Sequence, residues 1–232
     1  MQVSPDGYVM DAVEAAGAQD PSLLYRHSCH HASCGSCGVR MNGRESLPCI
    51  TPLKRFRGAN PVLRMEPLRN FPIIGDLIVD LGPFMRQLDL IDLPLRRSAE
   101  PLGEASGDAR GLERMQVPAS DDFPPTPSGF NRLENCIECG LCMSACPVAG
   151  LDPQYAGPAV LAAAGRLVSE PRHRAVGEIL NRVDHEHGLW RCHAAFECSE
   201  VCPANVDPAG EIMLLRSKLL RSRAIARPQG KA

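Results

Sequence analysis

Four cysteines packed into residues 136–146, with a proline directly after the last, constrain this chain more than any other feature. The stretch Cys136-Ile-Glu-Cys139-Gly-Leu-Cys142-Met-Ser-Ala-Cys146-Pro147 is a full C-x2-C-x2-C-x3-C-P run, the bacterial pattern that holds iron–sulfur clusters. In proteins with two such clusters, the fourth cysteine of the run ligates the other cluster. A second group must therefore lie elsewhere. It reads Cys192-His-Ala-Ala-Phe-Glu-Cys198-Ser-Glu-Val-Cys202-Pro203.

Laid on the same template, the second ligand position of that group falls on Ala195. With ligands crossed over, Cys136, Cys139, Cys142 and Cys202 form a complete set of four, which suits [4Fe–4S]. Cys146, Cys192 and Cys198 form a set of three, which suits [3Fe–4S], because an unligated cubane corner loses its iron most easily. A [4Fe–4S] cluster held at one corner by water or another ligand is the alternative. Pro147 and Pro203 set the chain direction after each final ligand and donate no N–H.

An earlier group, Cys29-x4-Cys34-x2-Cys37 followed by Cys49, has the plant-type [2Fe–2S] spacing. The expectation is a tight loop holding three thiolates on one side, closed by Cys49 from a strand. Gly35 and Gly38 are expected to let backbone N–H groups face sulfur, and Ser36 to add a hydroxyl. Structural zinc also accepts four thiolates, more often from paired CxxC motifs. His27, His30 and His31 are able to ligate metal, but as polar loop residues they need no such role.

The chain has 232 residues and eleven cysteines, an odd number that forbids complete internal disulfide pairing. The start, Met1-Gln2-Val3-Ser4-Pro5-Asp6, has no basic stretch and no apolar run, so no signal peptide and a reducing compartment are expected. The net charge of −2 creates no field that favours nucleic acid. Residues 73–85 are apolar but contain Asp76, Asp80 and Pro83, and residues 156–168 are short and contain Arg166. Neither matches the roughly 20 apolar residues of a membrane-spanning helix. Membrane association is expected to go through a partner.

Residues 96–130 hold five prolines and four glycines among Ser, Asp and Glu, the composition of a linker or extended segment. The expected organisation is a domain over residues 1–95, that linker, and a domain over residues 131–232. In the first domain, residues 9–18 predict a helix with Val9, Val13 and Ala16 on one face. Residues 38–41, the Asn42-Gly43 turn and the stretch toward Cys49 predict a hairpin. Val62 and Met65 suggest a strand, and Pro72 is expected to open a helix using Ile73, Ile74, Leu77, Ile78 and Leu81. The second domain is expected to be helical over residues 158–168 and 174–183. A further helix is capped by Asp207, with Pro208 at its first position and Ile212, Leu215 and Leu219 along it.

Three clusters of these types in this order resemble the iron–sulfur subunit of succinate dehydrogenases and fumarate reductases. The matching stretches include Ser28-Cys29, Cys34-Gly35-Ser36-Cys37-Gly38, the run from Cys136 to Cys142 and Gly157-Pro158-Ala159. Cys198-Ser199-Glu200-Val201-Cys202-Pro203 and Val206-Asp207-Pro208 look especially like fumarate reductase members. The resemblance implies an α+β chain: a β-grasp plant-type ferredoxin domain, then an all-α domain like a bacterial ferredoxin. It implies a partner flavoprotein carrying FAD that interconverts succinate and fumarate. It also implies membrane anchor subunits, with or without haem b, that bring a quinone, and so a place on the cytoplasmic face of the cell membrane. No catalytic acid, base or nucleophile is implied in this chain. Relatives usually begin with a two-stranded hairpin ahead of the first helix, for which this sequence has little room. Many succinate-oxidising relatives carry tryptophan after the Cys-Pro, where this chain reads Val148-Ala149-Gly150-Leu151. The quinone vicinity carried over by resemblance is Pro147, Leu151 and His193, with His193 equally a donor to a cluster sulfur or a surface residue.

Trp190 is expected to pack against the late cysteine loop. The basic residues Arg216, Lys218, Arg221, Arg223, Arg227 and Lys231 read as a solvated face and tail, or as a contact with anionic lipid. Two other readings compete with the main one. An iron–sulfur subunit of another membrane-linked flavin dehydrogenase, oxidising glycolate or glycerol 3-phosphate, often has two complete cysteine runs and no early motif. A zinc-stabilised scaffold without redox activity would be colourless.

Overall fold

The computed structural model describes residues 3–56, 62–91, 133–170 and 176–226. The expected linker at 96–130 lies outside them. The first helix, α1 (Val9–Gln19), starts where the Tyr8 N–H donates to the Asp11 carboxylate at 2.8 Å, satisfying a donor left free at the helix start. It buries Val9, Met10 and Val13 against Val39, Met41, Leu47 and Leu68. Ala16 is only half-buried, because the helix runs off the edge of that core.

The expected hairpin is formed by β1 (Val39–Met41) and β2 (Arg44–Ser46), antiparallel, with Met41 opposite Arg44. Asn42 and Gly43 both have positive φ, 48° and 84°, as a two-residue turn of this twist requires. β3 (Met65–Glu66) adds to the other side of β1, giving the order β2-β1-β3. Asn42 helps to fix that strand, since its side-chain oxygen accepts the Arg64 N–H at 2.8 Å.

The helix expected from Pro72 is not there. Residues Ile73–Gly75 (β4) pair antiparallel with Ile78–Val79 (β5). The apolar spacing fits a helix, but Asp76 takes a φ of 40° and its carboxylate accepts the Leu24 N–H at 2.8 Å, while the Asp80 N–H closes onto the Pro72 carbonyl. Local turn chemistry overrides the period, and Ile73 and Ile74 end up exposed. The helix begins ten residues later, as α2 (Gly82–Leu90), where Asp80 accepts the Gly82 N–H and Pro83 fills the first turn.

The described part of the second half is helical: α3 (Leu141–Ala145), α4 (Gly157–Ser169), α5 (Val176–Val183), α6 (Glu197–Glu200) and α7 (Pro208–Ala226). Asp207 caps α7 as expected, accepting the Gly210 N–H at 3.1 Å and the Ser199 hydroxyl at 2.7 Å. The core is α4 laid against α7 and α5, with Leu161, Leu167, Ile179, Leu189, Ile212 and Leu215 fully buried. Each such side chain contributes about 1.5–3 kcal/mol by leaving water. A Cβ at Gly165 would meet the buried Glu211 side chain at 2.3 Å, so a larger residue there would displace that side chain where α4 and α7 meet.

The halves are joined through α3. Glu45 of β2 is buried, and its carboxylate accepts the Ser144 hydroxyl at 2.8 Å and pairs with Arg69 at 3.4 Å and Arg40 at 3.5 Å. A buried carboxylate needs this many partners to offset its lost hydration.

Candidate iron–sulfur sites

Residues 28–38 have no regular structure. Left-handed residues at His30, Ala32 and Gly35, with φ of 59°, 60° and 67°, coil the loop around its thiols. The Ser33 and Cys34 N–H groups donate to Cys29 Sγ at 3.2 and 3.3 Å. Ser36 Oγ lies 3.2 Å from Cys34 Sγ. Cys37 Sγ lies 3.4 Å from Cys49 Sγ.

Two expectations change here. Cys49 sits in the 3-10 turn Pro48–Ile50, not a strand, and the thiols group two and two: Cys29 with Cys34 toward solvent, Cys37 with Cys49 in the core. The amides directed at Cys29 sulfur come from His31, Ser33 and Cys34, whereas the Gly38 N–H donates to the Gly35 carbonyl. The backbone N–H of His31 is the main cause that brings the Cys29 thiol down to about 7, and the Ser36 hydroxyl lowers Cys34. Burial pushes Cys37 up to about 12.

The seven late cysteines divide between two cavities. Cys136, Cys139, Cys142 and Cys202 line one. Cys146, Cys192 and Cys198 line another, and Ala195 is on its wall. Two short helices produce the crossing. Cys142 lies within α3, while Cys146 follows its last residue with extended backbone (φ −69°, ψ 118°) and reaches the other cavity. Cys198 lies within α6, and Cys202 comes just beyond that helix, back at the first cavity. Glu138, Gly140, Ala194, Phe196 and Asn205 all have positive φ, which curls both loops inward. The Ala194 N–H donates to Cys192 Sγ at 3.4 Å and the Val206 N–H to Cys202 Sγ at 3.3 Å.

Burial is the first cause of raised thiol values at Cys139, about 11, and Cys198, about 12, and it carries Cys142 well above the ordinary value. Thiols such as Cys139, Cys142 and Cys198, kept protonated and grouped around apolar hollows, are poor nucleophile sites. They fit metal that displaces their protons on binding. The donor sets and amide-to-sulfur contacts thus fit iron–sulfur clusters at all three places.

The early loop touches the first cavity. A Cβ on Gly35 would stand 2.7 Å from Cys139 Cβ and 2.9 Å from the Ile137 carbonyl. Pro147 and His193 are exposed and line the second cavity, whereas Leu151, 80% exposed, is outside its lining.

Two supporting residues, Asn70 and Tyr155, escaped the sequence reading, and Arg216 was read there only as part of a basic face or tail. Asn70 Nδ2 donates to the carbonyls of Met143 (2.8 Å) and Cys146 (3.0 Å) at the end of α3. Tyr155 is buried on the second cavity with its hydroxyl toward Cys192, and burial raises its pKa. Arg216 donates to the Leu189 and Cys192 carbonyls, at 2.9 and 2.6 Å, and with Arg223 flanks the Trp190 ring, their guanidinium carbons 5.6 and 5.5 Å from its centre. Those two arginines are therefore not a plain solvated face. A signal existed for Arg216: it lies four residues after Ile212 on the inward stripe of α7, where a cation must be paired.

Comparison with known proteins agrees. Residues 1–86 match the family model described as a 2Fe-2S iron-sulfur cluster binding domain, and residues 132–206 match the 4Fe-4S dicluster domain. The fumarate reductase iron-sulfur subunit of Haemophilus influenzae is 37% identical over 206 residues, 89% of this chain and 76% of that protein. That of Mycobacterium tuberculosis is 40% identical over 193 residues, 83% and 72% of the two chains.

The chain belongs to the fumarate reductase and succinate dehydrogenase iron–sulfur subunits.

The succinate dehydrogenase iron-sulfur subunit of Coxiella burnetii is 31% identical over 214 residues, 92% of this chain and 84% of that one. A chain of the Mycobacterium smegmatis Sdh1 complex in the apo form shares the fold, with a TM-score of 0.75 at 24% identity over 96% of this chain and 88% of that one. As a member of this family, the chain is an electron-transfer subunit of an oxidoreductase complex with 2Fe–2S and 4Fe–4S binding domains. Among the described residues, no helix is long and apolar enough to cross a membrane.

Proposed function

We propose that this chain passes electrons between the FAD of a flavoprotein and a membrane quinone, as part of a succinate:quinone or fumarate:quinol oxidoreductase. Cys29, Cys34, Cys37 and Cys49 hold [2Fe–2S]. Cys136, Cys139, Cys142 and Cys202 hold [4Fe–4S], and Cys146, Cys192 and Cys198 hold [3Fe–4S]. Bound there, the clusters supply one-electron redox steps. The protein's residues hold them in sequence, exclude water and direct N–H groups at sulfur, which tunes the potentials.

The observation that carries this reading is the division of the late thiols into cavities of four and three, with Ala195 beside the three. The early loop abuts the four-thiol cavity at Gly35, giving a contiguous order of sites. Pro147 and His193 at the rim of the three-thiol cavity support a quinone vicinity there, to which Leu151 belongs only through its sequence neighbours. Helix α1 packed on the sheet β2-β1-β3 supports a β-grasp domain over residues 1–95, and the helices after it an all-α ferredoxin-like domain over residues 131–232. The chain sits peripherally on the cytoplasmic face of the membrane, held by anchor subunits with or without haem b.

Exchange of single ligands tests the crossing. Cys202→Ser should abolish the four-iron paramagnetic signal and leave the three-iron signal. Loss of the three-iron signal instead would overturn the assignment.

A further inference from the structure

We propose that Glu14, His27 and His30 form a surface site for a divalent zinc-class cation, separate from the three cluster sites. Their donor atoms converge. His27 Nδ1 lies 2.8 Å from His30 Nε2, and the same two nitrogens lie 3.3 and 3.5 Å from Glu14 Oε1. All three atoms fall within 4.8 Å of one another. Tetrahedral zinc with bonds of about 2.0–2.1 Å sets donors roughly 3.3 Å apart, so this triangle needs only a small opening of its shortest side.

The three donors are held by different means, which argues against a chance meeting of mobile side chains. Glu14 is fixed on α1. The His27 ring stacks on Tyr25, centroids 5.4 Å apart at 21°. His30 is aimed by a left-handed backbone, φ 59°. The third histidine of the stretch is engaged elsewhere, since His31 Nδ1 faces the Cys29 carbonyl.

Two imidazoles and a carboxylate select zinc, copper or nickel over calcium and magnesium, which prefer all-oxygen sets. The three side chains are 37–40% exposed, which leaves a fourth position open to water and makes the ion exchangeable. A bound ion would tie α1 to both sides of Cys29, because His27 and His30 flank that cysteine.

The test adds zinc chloride anaerobically to the full chain with its clusters in place, followed by desalting and metal analysis. One extra zinc per chain is expected, with iron content unchanged and an X-ray absorption edge fitted by nitrogen and oxygen neighbours without sulfur. Glu14→Gln and His27→Gln, each retaining full iron content, should weaken binding by about tenfold or more. Equal zinc in wild type and both variants, no zinc at all, or sulfur among its neighbours would each overturn the proposal.

Discussion

The side-chain amide of Asn70 donates to the carbonyl of Cys146 at 3.0 Å, so a residue of the first half holds the backbone of a proposed cluster ligand of the second. The same nitrogen meets the Met143 and Ser144 carbonyls at 2.8 and 3.2 Å, which a helix end as short as α3 would otherwise leave open. Asn70→Asp keeps the volume and tolerates the left-handed backbone at this position, φ 66°, but replaces the donor with an acceptor. It should destabilise the chain by about 1–3 kcal/mol in denaturant unfolding. Three-iron content should fall before two-iron content does. Wild-type stability and iron would contradict the role.

Gly35 is constrained twice, by its φ of 67° and by Cys139 across the seam. In Gly35→Val the side chain has no space, and the left-handed backbone adds about 1–2 kcal/mol of strain. The early loop should move off the four-thiol site. Pre-steady-state reduction of the four-iron centre by way of the two-iron centre should slow, with both clusters still present. Unchanged transfer would show that the contact is not part of the route.

Arg216→Ala should loosen the Cys192 loop, because the Leu189 and Cys192 carbonyls lose a charged donor and Trp190 loses one of its two guanidinium contacts. Hydrogen bonds to charged groups contribute about 1.5–3 kcal/mol each. Faster loss of the three-iron signal under air, with the other clusters intact, is the expected outcome. Arg216→Lys should rescue little, since a point charge does not reproduce two divergent donors.

In the cluster-free chain, thiol reactivity should follow the hydrogen bonds that lower Cys29 and the burial that raises Cys37 and Cys198. Cys29, brought down to about 7, is half thiolate near neutrality, whereas Cys37 and Cys198, near 12, stay protonated. The thiolate is the nucleophile, so raising the pH through neutrality should speed Cys29 alkylation first, and lowering it should suppress that reaction. Mass spectrometry of timed iodoacetamide samples reads this directly. Equal rates at Cys29 and Cys198 would refute it.

The parts that spacing could reveal are those governed by local chemistry. The Asn42-Gly43 turn and the Asp207-Pro208 helix start each depend on a few adjacent residues, and the structure has them in place. The helix assigned from Pro72 failed because Ile73, Ile74, Leu77, Ile78 and Leu81 satisfy a helical period while Asp76 and Asp80 supply competing turn bonds. The pairing of Cys37 with Cys49, the reach of Asn70 to α3 and the burial of Glu45 beneath Ser144 depend on how separated segments meet, and no local pattern records that.

The Ala195→Cys variant places a fourth thiol on the wall of the three-thiol cavity. Iron per chain should rise by about one, and the oxidised three-iron signal should give way to a four-iron signal on reduction. Retention of the three-iron signal at full intensity would mean that Ala195 does not face the open corner.

The most direct measurement is paramagnetic resonance of the native complex, oxidised and then reduced, alongside iron analysis. The account predicts roughly nine iron atoms on this chain, a three-iron signal in the oxidised sample, and two-iron and four-iron signals after reduction. An oxidised sample without a three-iron signal, or a chain that carries zinc in place of iron, would contradict it.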